Sequence, residues 1–369
     1  MRFLEFLNTP KKNILTEAAK VGREFQHLED LVFVDGSEGA LEAADILEKL
    51  GSNADDVAIK WDGNPTVYWG REPNGEFVLV GKNGWGRQKS TDPDDLANFI
   101  KSSGKGEDWR EKFGNDMAQI FRIMEGATPP DFRGYVFGDL LYHPGKPYQD
   151  ADNKLEFTPN LVTYSVDKRS ALGKRIAGSS VGVAVHGKYE EFGSKSGEPI
   201  SDVGELNSGD AVVLGQTYVT HQPKINVDEV KEIRAMVQRN AQAIDSFLEP
   251  QAGLSDMKNI IYTYVNQMSR SRQLKNLETG FFDWLSTGGK VSPNKQAKIQ
   301  AMSEANPKAL AAIFGLVKRI MAAKDHVIDQ LDSADADVTA TTRGEKGGEG
   351  YVALGSKTKL VPRTRWQPN

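Results

Sequence analysis

Cysteine does not occur in this sequence of 369 residues. Its absence excludes disulfide bonds, thiolate zinc sites and a cysteine nucleophile, and it is typical of a reducing compartment. Histidine is scarce as well, and the histidines other than His143 lack the spacing of metal ligands. His143, in front of Pro144, fits a turn better than a ligand site.

Long apolar runs are also missing. The chain has no stretch of about 18 or more apolar residues, so we expect no membrane-spanning helix and no membrane partner. The N-terminal run Met1–Leu7 turns polar too early for a secretory signal. These features predict an intracellular, cytoplasmic protein.

The net charge of -5 is mildly acidic, which does not exclude a nucleic-acid partner, because the charge that meets phosphate is local. Basic residues cluster in three places: Lys168 to Arg175, Arg270 to Lys275, and Lys357 to Arg365. The first two clusters fit a solvated surface and a phosphate contact equally well.

Short β-type runs begin at Val57 and are separated by turn signals. Thr66–Trp69 and Phe77–Val80 flank the pair Asn74-Gly75, which is a strong hairpin signal. Four further strands are predicted at Tyr135–Leu141, Leu161–Val166, Val181–Val185 and Ala211–Leu214. A last β-type piece covers Tyr351–Leu354.

Helical spacing dominates two other regions. Residues 1–56 are predicted to be mainly helical, and residues 227–331 to form three to five helices. Residues 332–348 are rich in Asp, Thr and Gly, which indicates a flexible linker.

β-type segments therefore flank a helical block, and the sequence predicts an α+β fold. The expected organisation is an N-terminal helical segment (1–56), a sheet core (57–226), an all-helical insertion (227–335) and C-terminal strands that complete the core (345–369). The alternative is two separate domains.

Lys60-Trp61-Asp62-Gly63 follows a β run and opens a turn. A lysine amine can attack the α-phosphate of a nucleotide once it has lost its proton. The pattern K-x-D-G is weak alone, because a chain of this composition contains one by chance roughly one time in ten. A lysine in this position is more often a surface residue.

Five segments together resemble the covalent nucleotidyltransferase superfamily of DNA ligases, RNA ligases and mRNA-capping guanylyltransferases. They occur in the order of that family and in β-type runs. In chain order the segments are Lys60-Trp61-Asp62-Gly63, Phe77–Gly84, Tyr135–Leu141, Val162–Asp167, and Glu349–Val352 with Lys357-Thr358-Lys359 behind it. The resemblance covers roughly residues 55–170 and 345–361. It implies a nucleotidyltransferase core of antiparallel sheets, similar to ATP-grasp ligases.

The resemblance also implies roles for these residues. Lys60 would form a lysyl–nucleotide phosphoramidate with ATP, next to Asp62 and Gly63 of the same motif. Asp139 and Glu349 would bind the ribose hydroxyls or a divalent metal, Mg²⁺ or Mn²⁺. The alternative for Asp139 is a strand cap, and for Glu349 a place in the linker.

The remaining implied contacts are to the phosphates and the base. Lys357 and Lys359 are two apart on a strand, so both would face the α-phosphate, or they belong to a solubilising tail. Lys82 would contact a phosphate or the ribose. Tyr164 would stack on the base, although a core position is commoner for such a residue.

The sequence departs from the family pattern in several ways. Lys82 stands where arginine is commoner, Asp139 replaces glutamate, and Pro65 replaces a polar residue. Too little chain follows Lys359 for the OB-fold domain of most DNA ligases. The helical block is then the candidate module for contacting a phosphate backbone or a protein partner.

We expect an ATP-dependent polynucleotide ligase that acts on RNA or DNA with 5′-phosphate ends. The general organisation is similar to ligase-like proteins of large tailed bacteriophages. One alternative is a capping-type guanylyltransferase, and another is a catalytically inactive binding or structural protein of the same fold. A third is an enzyme that modifies a protein or small molecule.

Overall fold

A computed structural model describes residues 26–52, 56–102, 108–195, 197–198, 200, 202–289, 291–334, 336–354, 356 and 358–363. The helices in these ranges are α1 (Leu31–Leu50), α2 (Pro93–Ser102), α3 (Asp108–Ala127), α4 (Ala171–Ile176), α5 (Val227–Leu248), α6 (Met257–Arg270), α7 (Phe281–Thr287), α8 (Pro293–Ala305) and α9 (Ala309–Ser333). None of them is long and apolar enough to cross a bilayer.

The described strands form three sheets. They are β1 (Val57–Ile59), β2 (Thr66–Arg71), β3 (Phe77–Gly81), β4 (Gly134–Tyr142), β5 (Gln149–Ala151), β6 (Lys154–Phe157), β7 (Val162–Asp167), β8 (Val181–Tyr189), β9 (Ala211–Leu214), β10 (Val338–Thr342), β11 (Glu345–Lys346), β12 (Tyr351–Ala353) and β13 (Thr358–Leu360). Helices and mainly antiparallel sheets coexist, so the chain has the predicted α+β class.

The described residues form two compact units. The first comprises the described parts of 1–56, 223–328 and 352–369, and the second comprises 57–222 and 329–351. The helical segments near the start and in the middle of the chain thus share one unit. The predicted C-terminal segment 345–369 is divided, because the second unit ends at Tyr351.

A five-stranded sheet in the order β3-β2-β4-β8-β9 forms the main layer of the second unit. The Asn74-Gly75 turn joins β2 and β3 as predicted, and Gly75 has a φ of 87°, which glycine adopts without strain. One face of the sheet packs on α2 and α3, where Leu96, Ile120 and Phe121 are buried against residues such as Val67 and Leu79. This core fixes the strands that carry the candidate site.

A second sheet of this unit has the order β11-β10-β7-β6-β5. Val338–Thr342 pairs along its whole length with β7, from Val338 opposite Val166 to Thr342 opposite Val162. The prediction of a flexible linker over residues 332–348 was therefore wrong. Its β-branched Val-Thr-Ala-Thr-Thr run favours a strand, and the Gly344 turn at φ 84° lets the chain return as β11.

The helices α5 to α9 lie in the predicted helical block, and α1 confirms the helix near the N-terminus. In the first unit α1 packs along α5, and Arg234 of α5 binds both Asp45 and Glu48 of α1 at 2.6 and 2.8 Å. The exposed positions of these side chains make this pairing a minor contribution to stability.

A buried ion cluster lies in the same unit. Lys324 of α9 donates to both oxygens of Glu29 at 2.8 Å, and Arg363 donates to Glu29 at 2.6 Å and also binds Asp30. Glu29, Asp30 and Lys324 are 0 % exposed. The cluster joins three segments that are far apart in sequence.

The two carboxylates of this cluster differ in their pKa. Burial opposes the ionisation of Glu29, but the charges of Lys324 and Arg363 outweigh burial and hold its pKa well below the usual range. For Asp30 burial dominates over the attraction of Arg363 and raises the pKa to about 6. One carboxylate oxygen of Asp30 is buried without a hydrogen-bond partner among the described residues, which agrees with the raised pKa of Asp30.

Candidate functional site

The segment Lys60–Gly63 leaves β1 and is held in place by backbone contacts within the second unit. The amide of Lys60 donates to the carbonyl of Gly350 at 3.0 Å, and the amide of Asp62 donates to the Tyr164 hydroxyl at 2.6 Å. Trp61 is buried, with its ring 4.7 Å from that of Tyr164 and its Nε1 donating to Thr217 at 3.0 Å. Burial of Trp61 turns the neighbouring Lys60 side chain outward.

Lys60 and Glu349 form an ion pair. The distance from Nζ of Lys60 to Oε2 of Glu349 is 2.5 Å, and the two side chains are 30 and 20 % exposed. The structure thus brings together the first and the last of the five segments, which are almost 290 residues apart in the sequence. Partial exposure leaves the amine reachable by a ligand from solvent.

Asp139 of β4 lies next to the Lys60 segment. One oxygen accepts from the Thr66 hydroxyl at 2.5 Å, and the other contacts Nε2 of His186 at 2.9 Å. Burial opposes ionisation of Asp139, but these hydrogen bonds and the charges of His186 and Lys60 together lower its pKa. Asp139 is therefore held as a carboxylate near the amine.

Thr66 and His186 were missed by the sequence analysis. Thr66 reaches Asp139 because β2 and β4 pair in a register that sets these two residues opposite each other. His186 reaches it where β4 and β8 shift register between Phe137 and Gly138. Strand register and a bulge leave no signal in a single sequence, so neither residue was predictable.

The turn after Lys60 requires a glycine at position 63. A Cβ at this position would lie 2.5 Å from Cβ of Asp139 and 2.9 Å from its carbonyl oxygen. No real side chain tolerates such distances, so the turn can lie against β4 only because Gly63 has none. The same close approach brings Lys60 and Asp139 together.

Replacing Gly63 with alanine should lower the free energy of unfolding by about 1–3 kcal/mol, because the turn must move away from β4. Denaturant unfolding followed by tryptophan fluorescence measures the change. Gly209→Ala is the matched control, since a Cβ there meets nothing within 4 Å. It should change stability by less than about 0.5 kcal/mol. Equal midpoints for the two variants would show that the turn is not tightly packed.

Asp62 has one satisfied and one free oxygen. Oδ1 accepts from the Asn160 amide at 3.2 Å, whereas Oδ2 is buried and has no hydrogen-bond partner among the described residues. Asn160 was not predicted as part of the site. This buried oxygen of Asp62 can accept a hydrogen bond from a ligand or a water molecule.

Tyr164 does not act as an open stacking surface in this structure. Its side chain is 1 % exposed, and its ring packs against Trp61 and Phe157. It lines a cavity of about 30 Å³ beside Lys60, which has room for water but is too small for a nucleobase. The expected base stacking of Tyr164 is thus corrected to a positioning role, in which its hydroxyl holds the backbone of Asp62.

Lys82 follows the last residue of β3. The register that pairs Val67 with Gly81 puts Lys82 at the same end of the sheet as the Thr66–Asp139 pair. The side chain of Lys82 is exposed. Its position fits the expected contact with a phosphate or ribose.

The two C-terminal lysines have different outcomes. Lys357 lies outside the described residues. Lys359 belongs to β13 in the first unit, where its amide donates to the carbonyl of Gln26 at 2.9 Å. Burial lowers the pKa of His27, and the charges of Arg363, Lys324 and, least of all, Lys359 add to this effect. The expectation that these lysines face Lys60 stays a prediction.

The carboxylates around Lys60 are compatible with a magnesium ion. Among the described residues no group of three or more His, Asp or Glu side chains is arranged to hold a metal. Mg²⁺ commonly uses only one or two carboxylates and takes its other ligands from phosphate oxygens and water. Glu349 and Asp139 supply such hard oxygen donors, so the residues present fit the expected ion.

Comparison with known proteins identifies a family without assigned chemistry. Residues 23–367 match a family described as a family of unknown function (DUF6267), and the chain belongs to this family. Comparison with curated proteins and with solved structures found no match. A functional assignment must therefore come from the geometry around Lys60.

Proposed function

We propose that this member of the DUF6267 family is an ATP-dependent polynucleotide ligase that works through a lysyl-AMP intermediate on Lys60. The main support is the 2.5 Å ion pair between Lys60 and Glu349, with Asp139 close enough for Lys60 to lower its pKa. These residues come from three separate sequence motifs. Their convergence is unexpected if each motif is a chance match.

In the proposed first step, Nζ of Lys60 attacks the α-phosphorus of ATP. A P–N bond forms, the bond from the α-phosphorus to its bridging oxygen breaks, and pyrophosphate leaves with the electron pair. The amine must lose a proton before it attacks, and the Glu349 carboxylate at 2.5 Å can accept it. The product is a phosphoramidate between Lys60 and AMP.

Two further transfers complete the proposed reaction. A 5′-phosphate of the polynucleotide displaces Lys60 from AMP and forms a phosphoanhydride. The 3′-hydroxyl of a second end then attacks that 5′-phosphate, so a phosphodiester bond forms and AMP leaves. Lys60 is the leaving group here, so Nζ must take up a proton as the P–N bond breaks, and the Glu349 carboxyl 2.5 Å away can return the proton that it accepted in the first step.

The phosphates need positive charge around them. A bound Mg²⁺ supplies charge neutralisation for the triphosphate when it is present. Glu349 and Asp139 are the proposed ligands for this ion or for the ribose hydroxyls. Exposed Lys82, at the same end of the sheet, is the proposed cationic contact from the protein.

The first experiment exposes the protein to labelled ATP or GTP with Mg²⁺, denatures it, and measures intact mass. We expect a mass increase of one AMP group from ATP. Label from GTP alone would identify a guanylyltransferase instead. Label without sealing of nicked duplexes or single-stranded RNA would identify an enzyme that modifies another class of acceptor.

A non-catalytic binding protein is the second candidate. It is favoured by the narrow cavity at Lys60, which does not admit a base as it stands, and by the full engagement of Asp139 with Thr66 and His186. This candidate predicts no covalent label from either nucleotide. The same mass measurement therefore separates the two functions.

A further inference from the structure

An aromatic surface lies on the sheet face opposite α2 and α3. Side chains alternate between the faces of a strand, so Thr66 and Tyr68 of β2 share this face with Phe137 and Asp139 of β4. Tyr68, Phe137 and the neighbouring Tyr189 of β8 are only partly buried. We call these three residues the aromatic platform.

The rings of the platform pack against one another. Tyr68 lies nearly parallel to Phe137, with ring centroids 5.5 Å apart and an angle of 19°. Tyr68 also stacks on Trp85, with ring centroids 4.4 Å apart and an angle of 15°. Tyr189 contacts Phe137 at 5.5 Å. Packing among the rings fixes their orientation before any ligand binds.

The platform is continuous with the candidate site. On this face of the paired strands, the pair Tyr68–Phe137 is the neighbour of the pair Thr66–Asp139. The ring of Phe137 also lies 5.5 Å from that of His186, whose Nε2 contacts Asp139. A ligand that reaches the carboxylate of Asp139 can therefore extend onto the rings.

A basic loop borders the platform. It runs from Lys82 to Lys89 and is anchored by Trp85, whose Nε1 donates to the carbonyl of Ser194 at 3.1 Å. Lys82 and Arg87 are exposed, whereas Lys89 is paired with Glu72 at 2.8 Å. The exposed cations suit a phosphate backbone. Glu190 and Glu191 are exposed on the loop whose Gly193 meets Gly86. Their charges limit this attraction, so the rings must provide much of the affinity.

We propose that the aromatic platform stacks the bases of the single-stranded polynucleotide whose end is joined at Lys60. Every base offers a flat π surface, so stacking on the partly exposed rings of the platform gives binding that tolerates sequence. The exposed cations beside the rings hold the connecting phosphates. This inference rests on the proposed function for the identity of the reacting end.

The test measures binding of a 3′-labelled, 5′-phosphorylated single-stranded DNA of about twelve nucleotides by fluorescence anisotropy. Phe137→Leu and Tyr189→Leu each remove a ring but keep apolar volume. Each variant should bind about five- to a hundredfold more weakly than the wild type. Trp109→Leu, which removes a 45 % exposed ring from α3, should bind like the wild type.

An abasic strand of the same length isolates stacking from charge. The wild type and the platform variants should bind this strand equally, because no base is present to stack. The inference is overturned if the variants bind the normal strand as well as the wild type does, or if they lose the same affinity for the abasic strand. Weaker binding of free ATP with unchanged strand binding would also overturn it.

These outcomes separate the platform from the proposed function. Covalent labelling of the wild type reports on Lys60 chemistry and needs no polynucleotide. Strand binding needs no nucleotide and no chemistry. A protein that binds the strand through its rings but takes up no label would keep the platform and lose the ligase assignment. A labelled protein whose ring variants bind normally would show the reverse.

Discussion

Replacing Lys60 with arginine should abolish covalent labelling by ATP, with a loss of at least about a thousandfold. Arginine keeps its positive charge at every accessible pH, so it has no free electron pair with which to attack phosphorus. It can still pair with Glu349, which keeps the site electrostatically balanced. Intact mass after exposure to ATP and Mg²⁺ is the readout, with peptide mapping of the labelled site in the wild type.

Lys112→Arg is the matched control for this variant. Lys112 is an exposed residue on α3 of the same unit, so Lys112→Arg makes the same lysine-to-arginine exchange outside the candidate site. Its labelling should equal that of the wild type. Wild-type labelling of the Lys60→Arg protein would place the nucleophile elsewhere and remove the basis of the proposed mechanism.

Replacing Lys324 with methionine should destabilise the first unit by about 3–5 kcal/mol. Lys324 donates to both oxygens of Glu29 and to the carbonyl of Val361, and all of these groups are out of reach of water. Methionine fills a similar volume but leaves part of the charge of Glu29 without a partner. Chemical denaturation followed by circular dichroism measures the loss, since this unit is rich in helix.

Two comparisons make this result specific. Lys231→Met removes a lysine from an exposed pair with Asp228 on α5, and it should change stability by less than about 1 kcal/mol. Adding Glu29→Gln to Lys324→Met should recover part of the loss, because the uncompensated charge is removed. If the two lysine variants were equally stable, the cluster would be energetically unimportant.

The local features of the fold were predictable from the sequence. Short β-type runs, the Asn74-Gly75 turn and helical spacing after Val227 depend on the side chains of neighbouring residues alone. The region 338–346 shows the limit of such patterns. Its Asp- and Gly-rich surroundings indicated a linker, yet it forms the hairpin of β10 and β11, and β10 pairs with β7. The partner strand supplies hydrogen bonds that no local pattern contains.

The residues of the candidate site also fall into a group that the sequence revealed and a group that it did not. Lys60, Asp139 and Glu349 were proposed as site residues because they lie in short motifs that resemble those of covalent nucleotidyltransferases. The partners Thr66 and His186 were not identified, because they depend on strand register and a bulge. Burial also decided the role of Tyr164, since a sequence does not reveal which aromatic residues are covered.

The sequence by itself determined which residue types are present for chemistry, the positions of most strands and helices, and the glycine that permits a tight turn after Lys60. Only the tertiary structure decided which carboxylate meets the Lys60 amine, which carboxylates share the cluster around Lys324, and which rings stay partly open to solvent. The physical reason is that periodicity and turn chemistry act over a few residues. Ion pairing and burial act between side chains that only folding brings within a few ångströms.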